Sequence, residues 1–175
     1  MDNSKSRLRE LEAADLPSIN RWRTDRETVA SLGAPFRFIA RAVDDAWYKS
    51  YLADRTRSVR LAVVDPVDGQ HIGCANLTSI DSVARSAEFS IWIGEANRRG
   101  RGIGQSVTRQ VLDHGFKDLN LNRIYLFVLR DNGNALSIYK KIGFSVEGEM
   151  REAAFKNGGF KDVIAMSILQ REYRA

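Results

Sequence analysis

Two apolar runs, residues 87–93 (AEFSIWI) and 123–129 (RIYLFVL), bracket a glycine-rich turn and an amphipathic stretch, and this arrangement limits the fold more than any other feature. Both runs are rich in aromatic and β-branched residues and contain no breaker, so both read as strands. Between them lies Arg98-Arg99-Gly100-Arg101-Gly102-Ile103-Gly104. Ile103, Val107, Val111, Leu112, Gly115 and Phe116 then recur at helical spacing, with Gln105, Arg109, Gln110 and Asp113 among them. The run 123–129 is almost continuously apolar, the pattern of a strand covered on both faces, and a central parallel strand is the usual reason. Strand, turn, helix and strand form one βαβ unit with a right-handed crossover. The chain is therefore expected to be an α/β protein.

The turn has its own chemistry. Glycine permits positive φ and lets a ligand approach the backbone without meeting a Cβ. The first turn of a helix leaves N–H groups unpaired and carries partial positive charge. Glycines 100, 102 and 104 at such a helix start, among three arginines, suit a phosphate or pyrophosphate. The other reading is a glycine-rich loop with a solvated basic face. The turn alone does not choose.

At 175 residues the chain predicts one domain spanning 1–175, long enough to bury a core. No apolar run approaches the roughly 18 residues of a membrane span. The N-terminus alternates charges and lacks a signal peptide's apolar stretch. The single cysteine, Cys74, has no internal disulfide partner, and both features point to the cytoplasm. Cys74 lies in an apolar stretch and reads as a small buried side chain. His71 and His114 lack partners at ligand spacing, so no metal is expected. The net charge of +5 is dispersed, with few interleaved aromatics. A phosphate-bearing small molecule explains residues 98–101 with fewer assumptions than nucleic acid does.

Leu8 and Leu11 mark a first strand, and Asp15 is the expected N-cap of a helix through Leu16, Ile19 and Trp22, with Pro17 in its first turn. Residues 24–41 read as a loop or partly helical excursion lining a cleft or packing over a sheet end. A second helix follows at 43–52, with Val43, Ala46, Trp47 and Tyr51 as its apolar face. Strands at 59–64 and 71–79 are joined by the turn Asp65-Pro66-Val67-Asp68-Gly69. After 123–129, residues 131–134 supply a turn and N-cap for a helix at 135–141, stopped by Gly143. Residues 145–155 and 160–169 form a hairpin. The count is seven strands, mostly antiparallel, with helices flanking them.

These residues resemble a family. Residues 99–104 match the Gln/Arg-x-x-Gly-x-Gly/Ala signature of the GNAT acetyltransferases, placed between that superfamily's fourth strand and the following helix. Residues 132–144 match its Asn-x-x-Ala-x-x-x-Tyr-x-x-x-Gly-Phe pattern, with Asn132 or Asn134 as the asparagine. The likeness is close over 85–170 and looser before. It is most similar to the branch of ribosomal-protein N-terminal and bacterial spermidine N-acetyltransferases.

The resemblance implies that the strands 87–93 and 123–129 splay apart and admit the pantetheine arm of acetyl-CoA, which is the co-substrate. It places the pyrophosphate on Arg99, Gly100, Arg101, Gly102, Ile103 and Gly104, and backbone N–H groups near Ile91, Trp92 and Ile93 at the thioester carbonyl. It also assigns Gln105, Asn132, Asn134, Ala135, Tyr139 and Lys141 to the donor. The amine attacks directly, and Tyr139 is the implied acid for the leaving thiolate; a packed core tyrosine is the alternative. An alkylamine of pKa about 10.4 is neutral in only about one molecule per thousand at pH 7.4, a deficit of about 4 kcal/mol. Glu88, alone among apolar neighbours, is the candidate base or ammonium site; an edge or salt-bridged carboxylate is the alternative. Asn76 and Phe36 are further candidates on the acceptor side. Asn76 stands where the spermidine enzymes carry an acidic residue, and Arg37 and Arg41 add positive charge. The spermidine enzymes also carry acidic residues in the segment that is 32–38 here, so their absence, with Arg37 and Arg41 present, argues against a highly charged polyamine. The acceptor expected is a primary amine, polyamine-like or a peptide N-terminus, with neutral, aromatic and acidic amines suited at least as well. A homodimer or larger assembly is implied. The rivals are a non-catalytic acyl-CoA-binding module on the same fold and a basic nucleic-acid-binding domain; a P-loop is excluded because no lysine-serine/threonine ends the glycine motif.

Overall fold

Period-two alternation in β4 (Ser86–Ile93) buries Ala87 and Phe89 on one side and turns Glu88, Ser90 and Trp92 to the other. The computed structural model describes residues 5–174. Among the described residues, seven strands form one sheet, and β4 is its middle. The order is β1 (Arg7–Glu10), β2 (Val59–Val64), β3 (His71–Asp81), β4, β5 (Arg123–Leu129), β7 (Gly159–Leu169) and β6 (Ser145–Lys156). The β4–β5 pair is parallel, and the other pairings are antiparallel.

Each face has its own core. On the first, Leu77, Phe89, Ile124 and Leu126 meet Val107 and Val111 of α4 (Ile103–Asp113) and Ile142 of α5 (Gly133–Ile142). On the second, Ala62, Val64, Cys74 and Trp92 meet Leu16, Ile19 and Trp22 of α1 (Leu16–Arg23) and Trp47 and Tyr48 of α3 (Arg41–Ala53). A five-residue helix, α2 (Arg26–Ala30), follows α1. Asp25 caps it by accepting the Thr28 N–H at 2.8 Å, so the stretch 24–41 is partly helical. A π-helical turn, His114–Asp118, extends α4.

Three expectations are corrected. Asp15 precedes α1 but does not cap it: its carboxylate accepts the Glu12 N–H at 2.9 Å and two Arg9 bonds of 2.7 Å. A charge-assisted bidentate pair outcompetes a single cap bond. The inward face of α3 is rotated. Trp47 and Tyr51 face inward as expected, but Val43 is 54% exposed and Ala46 is exposed, and Asp44 is buried in their place. Asp44 tolerates burial because Asn20 (2.6 Å) and the Arg23 guanidinium hold its carboxylate. Finally, β5 is covered throughout on one face but only at Leu129 on the other. Ile124, Leu126 and Val128 are buried, while Tyr125 and Phe127 on the other face are partly open.

The β4–β5 ladder is short. Ser86 pairs with Arg123, Ala87 with Ile124 and Glu88 with Tyr125, and there the pairing stops. Beyond it, β4 stays with β3 (Ile93 opposite Gly73) and β5 stays with β7 (Leu129 opposite Val163). The two arms part, and the backbone from Phe89 to Ile93 has one edge with no strand partner.

Gly94 ends the β4 arm against Trp22. A Cβ there would lie 2.0–2.5 Å from three indole carbons, and Trp22 is only 3% exposed. Gly94→Ala is expected to destabilise the fold by about 3 kcal/mol, a fall in Tm of roughly 6–12 °C by calorimetry. An unchanged Tm would show that the indole moves aside freely.

Candidate active site

The gap between the arms opens into a cleft of about 840 Å3. Its floor is the unpaired edge of β4, its far arm is Phe127 to Leu129 of β5, and the glycine turn lies at its mouth. Gly100 (φ +76°) and Gly102 (φ +77°) are both left-handed, and Gly102 stands at the N-cap of α4 with no side-chain cap. Any other residue is strained at these angles. The first N–H groups of α4, with Gly102, Ile103, Gly104 and Gln105 all lining the cleft, are thus available to an anion.

The arginines divide their labour. Arg98 is engaged by Asp65 (2.8 Å) and Asp68 (2.6 Å) of the β2–β3 turn. Arg99 donates to the carbonyls of Ile93 (2.9 Å) and Gly94 (3.2 Å) and to Thr28 Oγ1 (3.0 Å). Its guanidinium fixes the turn and leaves phosphate recognition to the backbone. Arg101 is exposed, without a hydrogen-bond or ion-pair partner among the described residues, and lies outside the cleft lining.

Glu88 and Tyr139 approach the gap from opposite faces. Glu88 belongs to the last parallel pair, at the apex, and points away from the first-face core. Half-buried, it has no hydrogen bond or ion pair among the described residues, and burial raises its pKa above the usual carboxylate value. Tyr139 comes from α5 and packs edge-on to Phe89 at 6.3 Å and against Phe144 at 5.6 Å. It is 9% exposed and lines the cleft, and burial pushes its pKa up to about 12. Its hydroxyl stays protonated throughout the physiological range, a donor without a partner among the described residues. The α5 helix that carries it is set by Asn132, whose side chain accepts the Ala135 N–H at 3.2 Å.

Most of the residues singled out above converge here: Glu88, Ile91, Trp92, Ile93, Arg99, Gly100, Gly102 to Gln105, Asn132, Asn134, Ala135 and Tyr139 line one cleft. Four do not. Lys141 is exposed outside the lining, as is Arg101. Phe36 instead lies under the Arg26 guanidinium, 4.1 Å from its ring centre. Asn76 is 9% exposed and donates to Ser90 Oγ at 3.2 Å, one strand behind the cleft. A wall formed by Thr28 and Ser31 to Ala34 completes the cleft, so the stretch 24–41 takes the first of its two expected roles, lining a cleft. Its one local signal is Asp25 three residues before Thr28, a capping pattern that starts α2. Cys74 is buried, and burial pushes its thiol pKa up, so it offers no nucleophile. Among the described residues no group of three or more His, Cys, Asp or Glu is placed to hold a metal ion, and no helix is long and apolar enough to cross a membrane.

Comparison with known proteins agrees with this geometry. The Acetyltransferase (GNAT) domain family matches residues 6–145. The chain belongs to the GNAT acetyltransferase family. It is 33% identical to the spermidine N(1)-acetyltransferase of Vibrio cholerae over 98% of this chain and 96% of that protein. It is 39% identical to that of Escherichia coli K12 over 73% of this chain and 67% of the other. The crystal structure of the Vibrio cholerae spermidine N-acetyltransferase in complex with CoA and spermine superposes with a TM-score of 0.90, at 32% identity, covering 98% of this chain and 99% of that one.

The chain is an acetyl-CoA-dependent N-acetyltransferase, and its residues fit that donor. The left-handed glycines and open N–H groups at the start of α4 suit the pyrophosphate, and the unpaired edge of β4 suits the amide-bearing pantetheine arm. Acetyl-CoA supplies an activated acyl group whose carbonyl accepts the amine. Beyond Glu88 the gap-side backbone groups of β4 have no strand partner, so the N–H groups there are open to a polar ligand. Tyr139 and Glu88 stand on opposite faces of the gap, one a protonated hydroxyl and the other a half-buried carboxylate.

Proposed function

We propose that the acceptor is the primary amine of a small polyamine-like molecule, and that its ammonium docks at Glu88 before losing a proton to that carboxylate. The observation carrying this is a half-buried carboxylate at the apex of the gap with no hydrogen-bond or ion-pair partner among the described residues. A cation would relieve that burial. The names of the two relatives and the spermine in the similar crystal structure favour the same class. Arg37 and Arg41, with no carboxylate at 32–38, favour an acceptor of modest charge.

A second reading rests on Arg60. It stands opposite Asn76, with its guanidinium 4.9 Å from the centre of the Trp47 ring and its buried Nε without a partner. A guanidinium on the acceptor face that stacks on Trp47 and has no carboxylate beside it among the described residues favours an amine that also carries a carboxylate. We further infer a cytoplasmic homo-oligomer. The edge strand β6 exposes Val146 and Met150, and Phe155 stacks on Phe160 at 5.1 Å, with Phe155 56% and Phe160 64% exposed.

Free-thiol release across polyamines, amino acids, peptides, amino sugars and aminoglycosides separates these readings. Polyamines turn over fastest on the first, amino acids on the second, and silence with every amine sinks both. Glu88→Gln is expected to remove the acidic limb of the kcat/KM profile for the responsive amine. The stability sign is opposite to that of a salt-bridged carboxylate. The folded-state pKa is raised, so the charged form costs stability once pH rises through it. Glu88→Gln should therefore raise Tm at pH 7–8 relative to wild type, and leave it level near pH 4. An unaltered pH profile would remove Glu88 from the role of base.

A further inference from the structure

We propose that Lys156 is a positioning residue for the acceptor, latching residues 28–34 across the mouth of the β4–β5 gap. Lys156 ends β6 and is 6% exposed. Its ammonium donates to the carbonyl of Val29 at 3.0 Å and to that of Ala34, and it has no ion-pair partner among the described residues. A lysine so deeply buried that serves two backbone carbonyls and no carboxylate spends its charge on holding a segment in place.

The place is set by topology. Leu129 of β5 pairs with Val163, and the Arg130 N–H bonds the Asp162 carbonyl at 3.0 Å, so the tip of the β6–β7 hairpin projects past the end of β5. Lys156 therefore reaches the segment from the β5 side. At its other end Thr28 Oγ1 is held by Arg99, which is itself anchored on Ile93 and Gly94 at the end of β4. In between, Asn132, just beyond β5, donates to the Ser31 carbonyl at 3.4 Å. The strap thus joins both arms of the gap.

Beyond Thr28 and Val29, which are buried in α2, its own composition offers little grip. Ser31, Gly33 and Ala34 are exposed, and Pro35 follows them. Position is imposed by the three tethers. Glu88 and the elements that lead into the strap belong to the second face of the sheet, while Tyr139 and α4 belong to the first. The strap therefore bounds the amine's approach. This step rests on the reading that the amine meets Glu88 from the second face.

The test compares wild type, Lys156→Met, Lys156→Gln and Lys156→Arg with the best amine of the panel. Lys156→Met is expected to raise the acceptor KM roughly tenfold or more, with kcat within about threefold and the acetyl-CoA Kd by calorimetry within about twofold. Amide exchange over residues 29–36 should speed up in Lys156→Met and return towards wild type in Lys156→Arg. Lys156→Gln, which keeps one donor, should lie between, and it carries the comparison if the methionine variant does not fold. Equal changes in acceptor KM and acetyl-CoA Kd, or unchanged exchange over 29–36, would overturn the positioning role. A wild type that acetylates no amine overturns the acceptor reading and this inference with it. A normal wild type beside an unaffected Lys156→Met overturns this inference alone.

Discussion

Replacing Tyr139 by Phe is expected to lower kcat by roughly 100- to 1,000-fold while leaving the acetyl-CoA Kd within about twofold. The ring is held by Phe89 and Phe144, so the substitution removes a hydroxyl without opening a cavity. That hydroxyl faces the cleft with a pKa near 12. An ordinary thiol has a pKa of about 8.5, so outright proton transfer from Tyr139 to the departing sulfur is uphill by about 5 kcal/mol. As the proposed acid, Tyr139 would therefore act by a hydrogen bond that strengthens as the sulfur gains charge. Its proton can move only in step with a proton coming from the amine. The same arithmetic gives a diagnostic: an acetyl thioester of a more acidic thiol needs the hydroxyl less, so the deficit should shrink with that donor. A Tyr139→Phe enzyme with wild-type kcat on a responsive amine would return Tyr139 to the core.

The placement of elements was readable because it is local. Hydrophobic period and glycine position located β4, the turn and α4 within a few residues, and the seven strands came from the same pattern. What failed was long-range pairing. Arg98 and Arg99 read as phosphate ligands from their neighbours in sequence, yet their partners are Asp65 and Asp68, about thirty residues back, and Thr28, still further off. Asp44 reads as a solvent-facing charge until Asn20 and Arg23 are brought beside it. Phe127 looked like a core residue in an apolar run, but the parting of β4 and β5 leaves it 47% exposed in the cleft wall. That parting was implied by family resemblance and by no periodicity, because a strand that loses its partner halfway keeps the same alternation. The stretch 24–41 was legible as a cleft lining or a cover over a sheet end, but which of the two was not, since the position of Thr28 and Ser31 to Ala34 comes from Arg99, Asn132 and Lys156 on three distant elements.

Gly102→Trp is expected to weaken acetyl-CoA binding by at least 100-fold, with the fold retained. Gly102 sits at φ +77° at the start of α4, and its missing Cβ faces Lys5, whose ammonium would stand 3.1 Å away. A flexible lysine end gives way easily. The left-handed strain of a non-glycine residue costs roughly 1–2 kcal/mol, against a typical domain stability of roughly 5–15 kcal/mol. An indole at that position covers the open N–H groups of the first turn of α4, the proposed seat of the pyrophosphate. Two readouts should agree. Calorimetry should show the loss of binding directly. Acetyl-CoA at 100 times its wild-type Kd stabilises the wild type by about 2.7 kcal/mol, a Tm rise of roughly 5–10 °C, and that rise should vanish in the variant. Gly100→Ala supplies the control for strain alone. Its φ of +76° is equally unfavourable to alanine, but a Cβ there meets nothing within 4 Å. It should lose a little stability and keep acetyl-CoA affinity within a few fold. If Gly102→Trp bound acetyl-CoA normally, the glycines would be structural turn residues and the donor's phosphates would have to be held elsewhere. If Gly100→Ala lost binding as fully as Gly102→Trp, strain in the turn, and not occupation of the cradle, would be the cause.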